Sequence, residues 1–230
     1  VFAAVTSLFF AWGFITSNND PLIVSLRAAF SLGYTEALLT QIVFFVAYGL
    51  LSLPSAWLSS RLGSTDTILG ALLVMAAGCV LVIFSTRLDN FYPILGALFV
   101  LAAGFTALQV AANPLAAALG PPERSHFRLN FAQSFNSLGV VLGVHFGSIV
   151  MLGDPVFRTV GGAIDAARRD ALLRAVDNAF AMMAAMLGAL LLLLVGIRGL
   201  LKSAAPDNRA AGSSVMFDGL RSRWAIFGAV

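Results

Sequence analysis

The sequence predicts an all-α membrane protein of six spanning helices, and three observations carry that expectation. Of its residues 59% are hydrophobic and only 11% charged, against roughly 25% charged in soluble domains. The mean hydropathy is +0.91. Apolar runs of about 20 residues, the length that a hydrocarbon core about 30 Å thick accepts as a helix, recur along the chain. Their length and number exclude a lone cleavable signal peptide.

The apolar runs, taken between turn and charge signals, place helix one at 2–31, helix two at 35–60 and helix three at 67–86. Helix four follows at 91–119, helix five at 126–152 and helix six at 178–201. Between the last two, AIDAARRDALLRAV (Ala163 to Val176) sets apolar and charged residues at helical spacing and predicts a short surface helix. Residues 1–201 thus form a six-helix transmembrane bundle. The polar, Gly/Ser/Ala-rich stretch over 202–223 predicts a linker. WAIFGAV at 224–230 reads as the start of a seventh helix, so the sequence is expected to be a fragment of a longer chain.

Several function classes fall away. The formal charge of +3 is small and scattered, which excludes a nucleic-acid partner. The single Cys79 builds neither a disulfide frame nor a zinc site. There is no HExxH, no Gly-rich phosphate loop and no GxSxG, and neither His126 nor His145 flanks a carboxylate cluster. No enzyme, cofactor or metal is expected.

Six spans put alternate loops on opposite sides of the bilayer. The linker side carries Arg61, Arg124, Arg128, Arg198 and Lys202, with Arg209, Arg221 and Arg223 in the linker, so it is expected to be cytoplasmic. The opposite side has Arg27 and Arg87 in its short connections and Arg158, Arg168, Arg169 and Arg174 in the longer one. Divided into two sets of three, the spans bring helix one opposite helix four, and each carries a polar break ending in proline. These are NNDP (Asn18 to Pro21) and AANP (Ala111 to Pro114). Interrupted helices at corresponding positions of two repeats mark a transporter's binding site at the repeat interface.

Asp20 lies deep in its apolar stretch with no Lys or Arg within a helical turn. An intramembrane acid is functional by default, and burial would favour its protonated form, so Asp20 is the candidate proton-coupling residue. Gln109 and Asn113 stand one turn apart on helix four, as do Asn130, Gln133 and Ser137 on helix five, with Asn136 on the flank. Amides carry donors and an acceptor and can bind sugar hydroxyls without charge. Asn19 beside Asp20, Gln41 on helix two, and Trp12 as a stacking surface complete the candidate substrate-binding set. Gly139, Gly143 and Gly147 form a doubled GxxxG that predicts close helix packing.

Three stretches resemble one family. They are SLFFAWGFITSNND (Ser7 to Asp20), LQVAANPLAAALGPPERSHFRLNFAQSFNSLG (Leu108 to Gly139) and, more weakly, FVAYGLLSLPSAWLSSRLG (Phe45 to Gly63). The chain resembles the fucose/glucose-galactose/hexose proton-symporter branch of the major facilitator superfamily. That resemblance implies the N-terminal six-helix half of a major facilitator fold, built from two three-helix inverted repeats, whose partner is a C-terminal six-helix half. It also implies a proton-coupled hexose transporter of glucose/galactose type, with sugar, proton and membrane lipid as partners, in the bacterial inner membrane. The family's coupling aspartate falls on Asp20, its helix-five sugar contacts on Gln133 and Asn136, and its helix-four asparagine on Asn113. Fucose permeases carry a second acid where this chain has Gln109, and glucose/galactose-type members look like this one there. In the loop after helix two the superfamily's G-x-x-x-D-R-x-G signature survives only in Arg61 and Gly63, with Ser60 at the acid's place. N-acetylglucosamine, fucose or another sugar is the alternative cargo, and a six-helix membrane sensor or scaffold the alternative class.

Overall fold

The computed structural model describes residues 1–88, 90–153 and 166–204. The expected linker beyond residue 204, the seventh-helix start at 224–230 and residues 163–165 of the expected surface helix lie outside these. The described chain is helical almost throughout, in eight α-helices. These are α1 (Phe2–Ser17), α2 (Asn19–Ala29), α3 (Tyr34–Leu62), α4 (Ser64–Ser85), α5 (Phe91–Ala118), α6 (Ser125–Leu152), α7 (Ala166–Gly196) and α8 (Arg198–Ala204).

Five of the helices are individually long and apolar enough to cross a membrane. A further crossing is assembled from α1 and α2. Glycines on α6 meet that pair in step: Gly139 lies against Phe10, Gly143 against Phe14 and Ser17, and Gly147 against Asn18 and Pro21. The Ser25 hydroxyl then donates to the Met151 carbonyl at 3.2 Å. Residue numbers rise together on both sides, so α1 and α2 run as one path parallel to α6. The protein is therefore a multi-pass membrane protein, with six crossings among the described residues.

The closeness of that seam depends on absent side chains. A Cβ at Gly139 would stand 2.2 Å from the Phe10 carbonyl oxygen, and one at Gly143 would stand 2.2 Å from Ser17 Oγ. Without a hydrophobic driving force between helices in lipid, such backbone approach supplies the packing attraction. Gly78 on α4 and Gly104 on α5 make the same kind of approach between those two helices, α4 also packs on α7, and α3 packs on α5. Helix one on helix five, answered by helix four on helix two, is the exchange that a two-fold axis relating two sets of three helices requires. The core between them holds Phe9, Leu72, Met75, Leu98, Phe105 and Leu187, all essentially inaccessible.

The helix starts and turns have local causes. Gly33 N–H donates to Glu36 Oε2 at 2.9 Å where α3 begins, and Asn90 Oδ1 accepts from Tyr92 N–H at 3.0 Å at the start of α5. Between α3 and α4 the chain turns on Gly63 alone, whose φ of +86° disfavours any residue with a Cβ.

Three sequence expectations are corrected. The AANP segment does not interrupt its helix: α5 runs from Phe91 to Ala118 with Pro114 inside it. Pro114 removes one backbone donor, but the buried Ala111, Ala112, Leu115 and Ala116 around it are packed by neighbouring helices, which hold the helix across the missing bond. The amphipathic stretch before helix six is no separate surface helix from Ala166 onward, because α7 continues unbroken to Gly196. Its first turns are anchored by Leu172 and Leu173, which pack against Ala29. Finally, helix six does not run on to residue 201: it ends at Gly196, and α8 restarts at Arg198.

Candidate functional site

The site grows out of the step between α1 and α2. Pro21 has no N–H and its ring crowds the carbonyl one turn earlier, which favours a break, and here the helix is broken at Asn18, three residues before it. The N–H of Asn18 turns back to the carbonyls of Ile15 and Thr16, closing α1 tightly. A new helix starts with Pro21 in its first turn, where a missing N–H costs nothing, and with Asp20 beside it, where a carboxylate suits the positive helix end. Asn18 is anchored by donating to the Phe14 carbonyl at 2.6 Å. Its Oδ1 is buried without a hydrogen-bond partner among the described residues and is packed against Gly147.

Beside this step lies a cavity of about 310 Å³ between α1, α2, α3 and α6. Thr16, Ser17, Asn19, Asp20 and Gln41 supply its polar wall; Phe44, Phe45, Tyr48 and Val140 supply the apolar one. Asn19 is buried and donates from Nδ2 to Gln41 Oε1 at 3.0 Å. Asp20 is exposed and has no hydrogen-bond or ion-pair partner among the described residues. The step thus turns Asp20 into the open cavity instead of the core. Trp12, half-buried one turn before Thr16, is in side-chain contact with the Tyr48 hydroxyl.

The remaining candidate amides form a separate group. Gln133 on α6 reaches Asn113 on α5, Nε2 to Oδ1, at 3.5 Å. Gln109 is half-buried one turn before Asn113 on α5. Asn136 donates to the Phe9 carbonyl at 3.1 Å and lies against Gly13, so it fastens α6 to α1. Asn130 and Ser137 are exposed on α6. Among the described residues the structure therefore brings Asn19, Asp20 and Gln41 into one cavity and joins Gln133 to Asn113 elsewhere. Thr16, Ser17, Phe44 and Phe45 were not singled out by sequence reasoning, because only the fold turns them toward Asp20.

Two charged arrangements, one at α8 and one at the start of α6, also escaped it. Asp66 on α4 accepts from Arg198 at 2.7 Å and from Lys202 at 2.8 Å, tying α8 to the third span. The acid lacking at Ser60 is thus supplied six residues later for a partner within the same half. Arg128 is buried at the start of α6 and donates to the carbonyls of Pro121, Ala117 and Gly120. A guanidinium there caps the carbonyl end of α5. Gly120, at a φ of +127°, leaves room for it.

Six crossings among the described residues, in exchanged sets of three, with a polar cavity where the first crossing is interrupted, have the architecture of membrane transporters built on inverted repeats. A family model described as Major Facilitator Superfamily matches residues 1–228, and the chain belongs to that superfamily. It is 43% identical over 173 residues to a glucose/galactose transporter of Brucella abortus biovar 1 (strain 9-941), a match covering 75% of this chain and 42% of that protein. It is 32% identical over 153 residues to an L-fucose-proton symporter of Escherichia coli (strain K12), covering 66% of this chain and 35% of that protein. The chain thus spans about two fifths of the length of the curated relatives it matches. Among solved structures, the superfamily transporter FucP in the outward conformation superposes with a TM-score of 0.72 at 32% identity. That match covers 84% of this chain and 48% of FucP.

Proposed function

We propose that the chain is the N-terminal half of a hexose:proton symporter of the bacterial inner membrane, with glucose or galactose as its cargo. The observation that carries this reading is Asp20, an acid at the break of the first span, open to a cavity that also holds Gln41. The names of the relatives point the same way, and Gln109 in place of the fucose permeases' second acid favours glucose or galactose over fucose. A second six-helix half would close over the faces of α3 and α6, which are little buried within this half. The arginines of the linker side would face the cytoplasm.

In the cycle, a proton on Asp20 and a sugar in the cavity each bind better when the other is present. The loaded halves rock from outward-facing to inward-facing, sugar leaves, Asp20 deprotonates, and the empty carrier resets. Gln41 supplies its amide to the sugar hydroxyls in this cavity and Tyr48, with Trp12 behind it, a flat apolar wall, while Gln109, Asn113 and Gln133 offer amides from their separate group on α5 and α6. Asn19 acts on the sugar through Gln41, which it orients. Asn136 keeps one face of its amide on α1 and has its oxygen left for a ligand.

The test records external pH from cells expressing the full reading frame while glucose, galactose, fucose or N-acetylglucosamine is added singly. Glucose or galactose should alkalinise the medium in the wild type and fail to do so in Asp20→Asn. Sugar entry without a pH change would make the protein a facilitator, and entry of none of the four would overturn the sugar reading.

A further inference from the structure

The polar groups around Asp20 have an unequal balance of donors and acceptors. Thr16 spends its only hydroxyl proton on the carbonyls of Trp12, at 2.9 Å, and Gly13, at 3.3 Å. Ser17 spends its own on the Phe14 carbonyl at 3.0 Å. Toward the cavity both hydroxyls can then offer only lone pairs, and an ionised carboxylate is likewise acceptor-only. Asn19 spends one of its two amide N–H groups on Gln41 Oε1, and its own Oδ1 is buried without a hydrogen-bond partner among the described residues, a further acceptor. The second Asn19 N–H, Gln41 Nε2 and the Tyr48 hydroxyl remain as donors. Among the described residues no Lys, Arg or His lines the cavity, so Asp20 is its sole charge.

A wall of this kind suits a ligand that brings donors and positive charge. An ammonium group brings three N–H donors and no acceptor, and a ring face nearby attracts it further. The rings of Phe45 and Tyr48 line the same cavity. A volume of about 310 Å³ is at the small end of ligand sites, which suits one sugar ring.

We propose that this cavity also takes an aminohexose in its ammonium form, with the cationic nitrogen standing on Asp20 in place of the coupling proton. The inference rests on the sugar-transport reading above and deepens it. An ammonium sugar on the carboxylate has the same total charge as a neutral hexose with a protonated Asp20. The loaded carrier is therefore equally neutral at this site, and the aminohexose crosses without taking a proton from the medium. Uronates and sugar phosphates bring a negative charge to a cavity that already holds one, and are excluded.

The test measures binding of D-glucosamine, D-glucose and N-acetyl-D-glucosamine to the purified full-length protein at neutral pH by titration calorimetry. Glucosamine should bind the wild type more tightly than its neutral N-acetyl derivative. Asp20→Asn should weaken glucosamine by about tenfold or more and glucose by less, and an unchanged thermal unfolding midpoint shows that the variant is folded. Thr16→Val, which keeps the side-chain shape and removes an acceptor, should weaken glucosamine more than glucose. If glucose binds and glucosamine does not, or if Asp20→Asn weakens both equally, the ammonium inference is overturned and the sugar reading stands. If neither sugar binds, both fall together.

Discussion

Asn19 on α2 and Gln41 on α3 share a hydrogen bond of 3.0 Å across the wall of the cavity that holds Asp20. The bond ties the half-helix that follows the break to the second span. It also leaves Gln41 with its amide donors free. The step in the first crossing is thus braced on both sides, by Gln41 on α3 and by Gly147 against Asn18 on α6.

A double-mutant cycle with Asn19→Leu and Gln41→Leu isolates that bond. Interhelical hydrogen bonds in membranes couple by about 0.6 kcal/mol on average, reaching about 1.7 kcal/mol. A coupling in that range is expected from thermal or denaturant unfolding of the purified full-length protein. A coupling indistinguishable from zero would mean that the pair does not hold α2 to α3.

The seam between α1 and α6 predicts a contrast among glycines. Gly139→Ala and Gly143→Ala place a methyl on α1 atoms at 2.2 Å, and overpacking of this kind costs about 1–3 kcal/mol. Gly188→Ala on α7 places its methyl in open space, with no neighbour within 4 Å, and should leave stability unchanged or higher. Unfolding midpoints of the three variants decide it: equal tolerance at all three positions would refute the close approach of α1 to α6.

Arg128 should resist even conservative change. Its fork satisfies carbonyls of Ala117, Gly120 and Pro121 at once, which a lysine's single nitrogen cannot do. Arg128→Lys and Arg128→Met should each lower stability by about 1–3 kcal/mol through carbonyls left without donors. An unchanged melting temperature in both would remove Arg128 from its capping role.

The ion pairs at the linker end should matter far less. The side chains of Arg198 and Lys202 are about half exposed and that of Asp66 a quarter exposed, and exposed pairs contribute about 0–1 kcal/mol. Asp66→Asn is expected to lower the melting temperature slightly at low salt and not at all at high salt, where screening has already weakened the pair. A large loss that persists at high salt would show that Asp66 holds α8 by more than charge.

Much of this protein is legible along the chain because its causes are local. Twenty-residue apolar runs set the crossings by the thickness of the bilayer. Pro21 and the asparagines before it mark the step in the first crossing, since a missing N–H and a crowded carbonyl act within one turn. Asp20 stands out for the same reason: an acid in an apolar run is visible without a structure.

What the tertiary structure alone decided is how those local features are spent. Pro114 has the same chemistry as Pro21, yet neighbouring helices pack around it and α5 stays whole. Asp66 finds Arg198 across 132 residues of chain, and Asn136 finds Phe9 across 127, through contacts that no local pattern encodes. Asn19, Asp20 and Gln41 share a cavity, while Gln133 pairs with Asn113 outside it. A sequence records which groups must be satisfied or exposed in a bilayer. Which partner satisfies each depends on how six crossings rotate and approach one another, and that is settled by glycine seams and packed faces acting together.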